Sequence, residues 1–274
     1  MSTYDTPIEI AWRWCFRIIC TLVLLFLLLP ILAIVPLSFN ASTFLTYPMP
    51  GLSMRWYREV FAGDRWLLPM RNSLWVALAT TALATVLGTL AALGLARMKP
   101  RLRSLAMGLV LSPIIIPVVI TAVGTYFMFA PLGLTNSILG LVIAHTVVAV
   151  PFVVITVAAT VQGFDTNLLR AAASLGASPV TVFRRVMLPL ILPGVTSGAV
   201  FAFAASLDEI VISLFLAGPQ QRTLPLQMLS GVREEISPSI TAVATLLVIV
   251  SALLLATVEL LRRRSARLAA AIKE

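Results

Sequence analysis

Two adjacent carboxylates lie within a long apolar stretch of this 274-residue sequence. Asp208 and Glu209 fall inside residues 191–217, where nearly all other side chains are apolar or small. A carboxylate near the middle of a membrane costs about 2.5–3.5 kcal/mol on insertion scales, so it must face a pathway or a partner. Two interpretations stay open: the acids line a pathway, or they are structural acids held by backbone donors or by an arginine of a neighbouring subunit.

Residues 165–193 form a second informative segment, because they carry helix and turn signals but contain no membrane span. Asp165 or Thr166 could cap a first helix, and Gly176 could make a turn. Ser178, which a proline follows, is typical of the start of a second helix. The segment therefore predicts a short helical hairpin.

The first helix of this hairpin has apolar and small side chains that could fit a groove on a partner protein. The side chains that recur at helical spacing are Leu168, Leu169, Ala172 and Leu175. Gly176 would permit a tight reversal after them. The alternative is an amphipathic hairpin lying on the membrane surface, which Arg184 and Arg185 would suit.

Composition predicts that the rest of the chain crosses a membrane. It is 59% hydrophobic and only 11% charged, whereas soluble domains are about 25% charged. We predict an all-α membrane protein with one transmembrane domain over residues 1–274, since spanning backbone must hydrogen-bond to itself. The six predicted spans cover about 17–37, 73–96, 105–130, 137–161, 191–217 and 239–261, with the hairpin loop at about 162–190 between the fourth and fifth.

The distribution of basic residues predicts the orientation. Most arginines and lysines fall near the N-terminus, between spans two and three, in the hairpin and after span six. Positive residues favour the cytoplasm, so both termini and the hairpin are expected there. The net charge of +9 is then explained by basic residues at the cytoplasmic ends of the spans, where they contact membrane lipid. We expect no nucleic-acid partner, because no basic folded domain is visible.

The sequence lacks the motifs of an enzyme. It has no glycine-rich phosphate loop ending in Lys-Ser/Thr, no His/Cys metal cluster and no nucleophile elbow. We therefore expect a non-catalytic chain with no catalytic residue, no metal and no cofactor. The single histidine, His145, lies in span four, where it could hydrogen-bond between helices or relay protons.

The hairpin resembles the cytoplasmic loop of type I ABC-transporter permeases, the membrane subunits of binding-protein-dependent importers. The motif of that family is Glu-Ala-Ala, three residues, Gly, nine residues, an aliphatic residue, one residue, Leu-Pro. Here the matching positions are Ala171, Ala172, Gly176, Val186, Leu188 and Pro189. Arg170 stands where the family has its glutamate. The resemblance implies ATPase coupling through Leu168, Leu169, Arg170, Ala171, Ala172, Leu175 and Gly176.

The resemblance also implies partners and a location. We expect a separate ABC ATPase dimer that binds and hydrolyses ATP, a second permease subunit forming a heterodimer, and a periplasmic or extracellular solute-binding protein. The expected location is the bacterial inner membrane, which the chain crosses several times.

A narrower resemblance concerns the solute. Segments 206–215, 223–225 and 232–238 are similar to the spermidine/putrescine branch of these permeases. That branch implies a polycationic solute whose ammonium groups meet Asp208 and, with weaker support, Glu209. The alternatives are an importer of another small solute, such as iron, an opine or an amino-acid-like compound, and an ion-coupled secondary transporter, which would favour inverted repeats and need no docking hairpin.

Overall fold

The computed structural model describes residues 6–163, 167–234 and 237–271. This part of the chain is helical, and its only β pairing is an isolated bridge between Asn40 and Leu52. The predicted capping residues Asp165 and Thr166 lie outside the described residues.

The α-helices, in chain order, are α1 Pro7–Leu37, α2 Arg55–Ala62, α3 Asp64–Ala96, α4 Pro100–Ile115, α5 Val118–Phe129, α6 Ile138–Gln162, α7 Asn167–Ser174, α8 Pro179–Val182, α9 Leu188–Leu207, α10 Val211–Leu216, α11 Leu224–Glu234 and α12 Pro238–Ala271. Short 3-10 turns cover Ala130–Leu132 and Pro219–Gln221, and a π-helical turn, Phe183–Met187, joins α8 to α9.

Five helical segments of the described chain are long and apolar enough to cross a membrane. They lie in α1, α3, α6, α8–α9 and α12, and the bent pair α4 and α5 makes a sixth if it counts as one span. The predicted all-α membrane fold is therefore confirmed.

The third span is broken where the sequence predicts one span over 105–130. Helices α4 and α5 meet at an angle of 98°. Ile116 has an extended conformation, with φ −71° and ψ 133°, because the ring of Pro117 disfavours helical geometry at the residue before it. Pro117 thus interrupts the helix completely.

One compact unit comprises residues 1–63 and 231–248. Its loop after α1 is fixed by side chains: the Trp56 indole Nε1 donates to the Asn40 carbonyl at 2.7 Å, and the Ser38 and Tyr57 hydroxyls lie 2.7 Å apart. The short helix α2 belongs to the same unit. Trp56 is buried, since its ring packs into this loop.

The second compact unit comprises residues 64–230 and 249–274, and its core is formed by α3, α6 and α9. Small residues let these helices approach closely. A Cβ at Gly198 would lie 2.5 Å from Thr156 Oγ1 and 2.9 Å from Val153 Cα on α6. Gly94 on α3 has no atom within 4 Å of its Cβ position and serves as a matched contrast.

The close approach at Gly198 predicts opposite effects of two alanine substitutions. Gly198→Ala should destabilise the protein by about 1–3 kcal/mol, because the methyl group forces α9 away from the α6 backbone. Gly94→Ala should stabilise it by about 0.5–1 kcal/mol, because only the helix propensity changes. Thermal unfolding in detergent, followed by circular dichroism, measures both, and equal unfolding temperatures for the two variants would contradict the packing.

Candidate functional site

The fifth apolar helix ends at the two carboxylates, where the sequence predicts one continuous span over 191–217; the segment long and apolar enough to cross a membrane is Pro179–Leu207. Helix α9 ends at Leu207, and α10 begins at Val211. The Asp208 N–H makes the closing bond of α9 to the Ala204 carbonyl at 3.1 Å. We call residues 208–210 the helix break.

Glu209 holds the start of α10. Its carboxylate oxygen Oε1 accepts the N–H of Val211 at 2.8 Å and the N–H of Ile212 at 3.0 Å. These N–H groups have no helical partner at the start of a helix, and a carboxylate there satisfies them. Glu209 is half-buried. The geometry therefore matches the structural interpretation of this acid, in which backbone donors hold it.

Asp208 is different from its neighbour. Its side chain is exposed. Within the described ranges it makes no hydrogen bond and no ion pair. Asp208 directly follows the membrane-crossing segment Pro179–Leu207 and precedes the apolar helix α10, so this unpaired carboxylate is flanked by apolar sequence on both sides. A cation or a water-filled path is what such a group requires inside a membrane.

His145, on α6, is fully buried and contacts both sides of the helix break. Its Nδ1 lies 2.9 Å from Ser206 Oγ, near the end of α9, and its Nε2 lies 3.3 Å from Ser213 Oγ in α10. The Ser213 hydroxyl also donates to the Glu209 carbonyl at 3.2 Å. His145 thus hydrogen-bonds between helices, in agreement with that interpretation of its sequence position.

The two serines and the contact at the far end of α10 were not predicted from the sequence. Asn136 N–H donates to the Leu216 carbonyl at 2.8 Å, which fixes α10 to the loop before α6. Ser206 and Ser213 are polar residues seven positions apart in an apolar stretch. This spacing could have indicated a shared polar contact, because residues seven positions apart lie on one face of a continuous helix.

The hairpin has the local structure that its sequence predicts. Gly176 has φ +80°, its N–H donates to the Ala173 carbonyl at 3.0 Å, and the Ala177 N–H donates to the Ala172 carbonyl at 3.2 Å. This pair of bonds around a left-handed glycine is a Schellman helix end. Ser178 Oγ accepts the Thr181 N–H at 3.3 Å and caps α8.

The predicted coupling residues fall into two groups by exposure. Leu168 and Leu175 are 48% and 88% exposed, and they lie seven residues apart on α7 and its end. Arg170, Ala171 and Gly176 are also exposed, whereas Leu169 and Ala172 are half-buried against the chain itself. The exposed apolar side chains are therefore a subset of the four predicted to face a groove.

The structure does not bring the hairpin and the carboxylates together. Helix α9 lies between them in the chain, and its 20 residues correspond to about 30 Å. The two candidate sites therefore belong to opposite ends of one helix.

Comparison with known proteins places the chain in a family. The family described as "Binding-protein-dependent transport system inner membrane component" matches residues 84–268. The spermidine/putrescine transport system permease protein PotC of Escherichia coli K12 is 33% identical over 243 residues, covering 89% of this chain and 92% of PotC. The putrescine transport system permease protein PotI of the same organism is 34% identical over 229 residues, covering 81% of each chain.

A solved structure shows the same fold. The permease chain of a bacterial ABC transporter involved in the import of the polysaccharide alginate matches with a TM-score of 0.73 at 13% identity, covering 94% of this chain and 99% of that one. The family predicted from the hairpin motif is therefore confirmed. With its apolar helices and the family match over most of its length, the chain belongs to the inner-membrane permease components of binding-protein-dependent ABC transport systems.

Proposed function

We propose that this chain is one permease subunit of an ATP-driven importer of polyamines, with Asp208 in the solute pathway. The observation that carries the proposal is the exposed, unpaired Asp208 carboxylate at the helix break. A solute that bears several ammonium groups would compensate this charge as it passes. The similarity to PotC and PotI supports the same solute class.

The two carboxylates have different roles under this proposal. Glu209 fixes the geometry of the break through Val211 and Ile212, and its charge adds to the negative potential there. The carboxylate oxygens of Asp208 are free to bind an ammonium group of the solute. One exposed carboxylate can offset part of the lost hydration of an ammonium group without holding it so tightly that release stalls.

The hairpin is proposed to couple this pathway to ATP hydrolysis on a partner. Leu168 and Leu175 would enter a groove on an ABC ATPase, and Gly176 would set the angle of the hairpin. Closure of the ATPase dimer would then move the membrane helices between outward-facing and inward-facing states. A second permease subunit would complete the pathway, and a binding protein would deliver the solute from outside. This arrangement puts the hairpin and both termini in the cytoplasm.

The pathway role predicts a charge-specific loss of transport. Asp208→Asn keeps the size of the side chain and removes its charge, so polyamine uptake should fall by about tenfold to a hundredfold, the usual worth of a charged hydrogen bond. Glu209→Gln keeps an oxygen that can accept from Val211 and Ile212, so its loss should be smaller. Uptake of labelled putrescine and spermidine into proteoliposomes containing the assembled transporter measures both.

Two results would contradict the polyamine assignment. One is normal uptake by Asp208→Asn, and the other is a native complex that moves only anions or neutral solutes. If the acid instead pairs with an arginine of the second permease, Asp208→Asn should weaken the copurification of the two subunits, and the pathway role would be wrong.

The coupling role predicts a loss that depends on the left-handed conformation of Gly176. Gly176→Leu forces a side chain into a conformation that costs about 1–2 kcal/mol and distorts the hairpin. Uptake and solute-stimulated ATP hydrolysis should fall together, while the chain still inserts in the membrane. Gly163→Leu is the matched control, because Gly163 lies just before the loop with φ −88° and only ordinary contacts.

The comparison needs equal amounts of each variant in the membrane and a copurification assay with the ATPase. Unchanged coupling in Gly176→Leu would remove the docking role and favour a hairpin that lies on the membrane surface.

A further inference from the structure

A single buried imidazole, that of His145, contacts the helices before and after the helix break. His145 is 0% exposed, and its hydroxyl partners are buried as well, with Ser206 4% and Ser213 0% exposed. These partners stand on either side of residues 208–210, one on α9 and one on α10. The imidazole therefore ties the two ends of the interrupted span to α6.

The hydrogen bonds have one consistent proton arrangement. The Ser213 hydroxyl donates to the Glu209 carbonyl at 3.2 Å, so its oxygen is free to accept from His145 Nε2–H at 3.3 Å. Nδ1 then accepts the Ser206 hydroxyl proton at 2.9 Å. Both ring nitrogens and the carbonyl in the break are satisfied without placing a charge in the core.

Helix α6 connects this ring to the hairpin. From His145 the helix runs to Gln162, a distance of about 25 Å along its axis. The hairpin helix α7 begins five residues later, at Asn167. A displacement of α6 caused by the hairpin would therefore pass through His145 to both sides of the break.

We propose that His145 is a positioning residue that sets the geometry of the helix break and transmits movement of α6 to the carboxylate of Asp208. The inference rests on the pathway role proposed above for Asp208. His145 does not contact the solute; it acts through Ser206, Ser213 and the backbone of Glu209.

The decisive variant replaces the imidazole with a larger apolar ring and so removes both ring contacts. His145→Phe should lower the number of polyamine molecules moved per ATP hydrolysed by about tenfold, because the buried hydroxyls lose their partners and the break is no longer tied to α6. ATP hydrolysis stimulated by the loaded binding protein should persist, since the hairpin is unaltered. Both quantities are measured on proteoliposomes with the full complex and labelled spermidine.

Conservative variants separate the two halves of this contact. His145→Gln can place an amide donor near the Nε2 position and should recover part of the coupling through Ser213. His145→Asn can place an acceptor near the Nδ1 position and should recover the contact with Ser206. Ser213→Ala keeps the contact of His145 with Ser206 and removes the bonds of Ser213 to His145 Nε2 and to the Glu209 carbonyl, so it provides the measurement if His145→Phe does not assemble.

Thr80→Val is the matched control for a purely structural effect. The Thr80 hydroxyl donates to the Val142 carbonyl at 3.3 Å, which is another buried bond between helices but does not touch the break. This variant should lower thermal stability while the ratio of solute to ATP stays at the native value.

The outcomes distinguish this inference from the function on which it rests. If His145→Phe or Ser213→Ala keeps the native ratio while Asp208→Asn lowers it, the positioning role is wrong and the pathway stands. The same conclusion follows if His145→Phe loses uptake and ATP hydrolysis only in proportion to the loss of folded complex. If Asp208→Asn keeps native uptake, the pathway itself is wrong, whatever His145 does.

Discussion

A membrane-spanning helix cannot be interrupted unless the protein satisfies the backbone groups that the interruption frees. In this chain the apolar helix α9 stops before residues 208–210 and α10 begins after them, and local side chains supply the missing partners. Glu209 accepts the two N–H groups that start α10, and the Ser213 hydroxyl binds the Glu209 carbonyl. Because these bonds keep the break stable, the neighbouring Asp208 carboxylate can remain free, and the proposed pathway depends on that freedom.

The packing of α6 gives the break a rigid reference. Helices α3 and α9 lie against α6 through small residues, and Gly198 brings the α9 backbone close to Val153. His145 projects from the same helix between the two parts of the interrupted span. One helix thus carries the core contacts and the hydrogen bonds at the break, and it leads directly to the hairpin that we propose as the ATPase contact.

Local signals in the sequence were sufficient for the family, the helical class and the hairpin turn. Gly176 was predictable because a helix end in the left-handed conformation favours glycine. The break at residues 208–210 was not, because no proline or glycine marks it and its partner His145 is 61 and 68 residues distant from Ser206 and Ser213. The break in the third span follows from Pro117, but the 98° angle between α4 and α5 was not readable from the sequence. The coupling role of the hairpin, the pathway role of Asp208 and the cytoplasmic position of the termini remain predictions.

The most direct test of the pathway is solute protection of position 208 from chemical modification. The two native cysteines, Cys15 and Cys20 on α1, would be replaced by serine, and Asp208→Cys would supply the single thiol. A cationic thiol reagent would then be applied to the reconstituted complex with ATP and its binding protein. Our account predicts that the reagent modifies position 208 and that saturating spermidine slows the modification. An unreactive thiol, or a modification rate that spermidine does not change, would show that Asp208 lies outside the solute pathway.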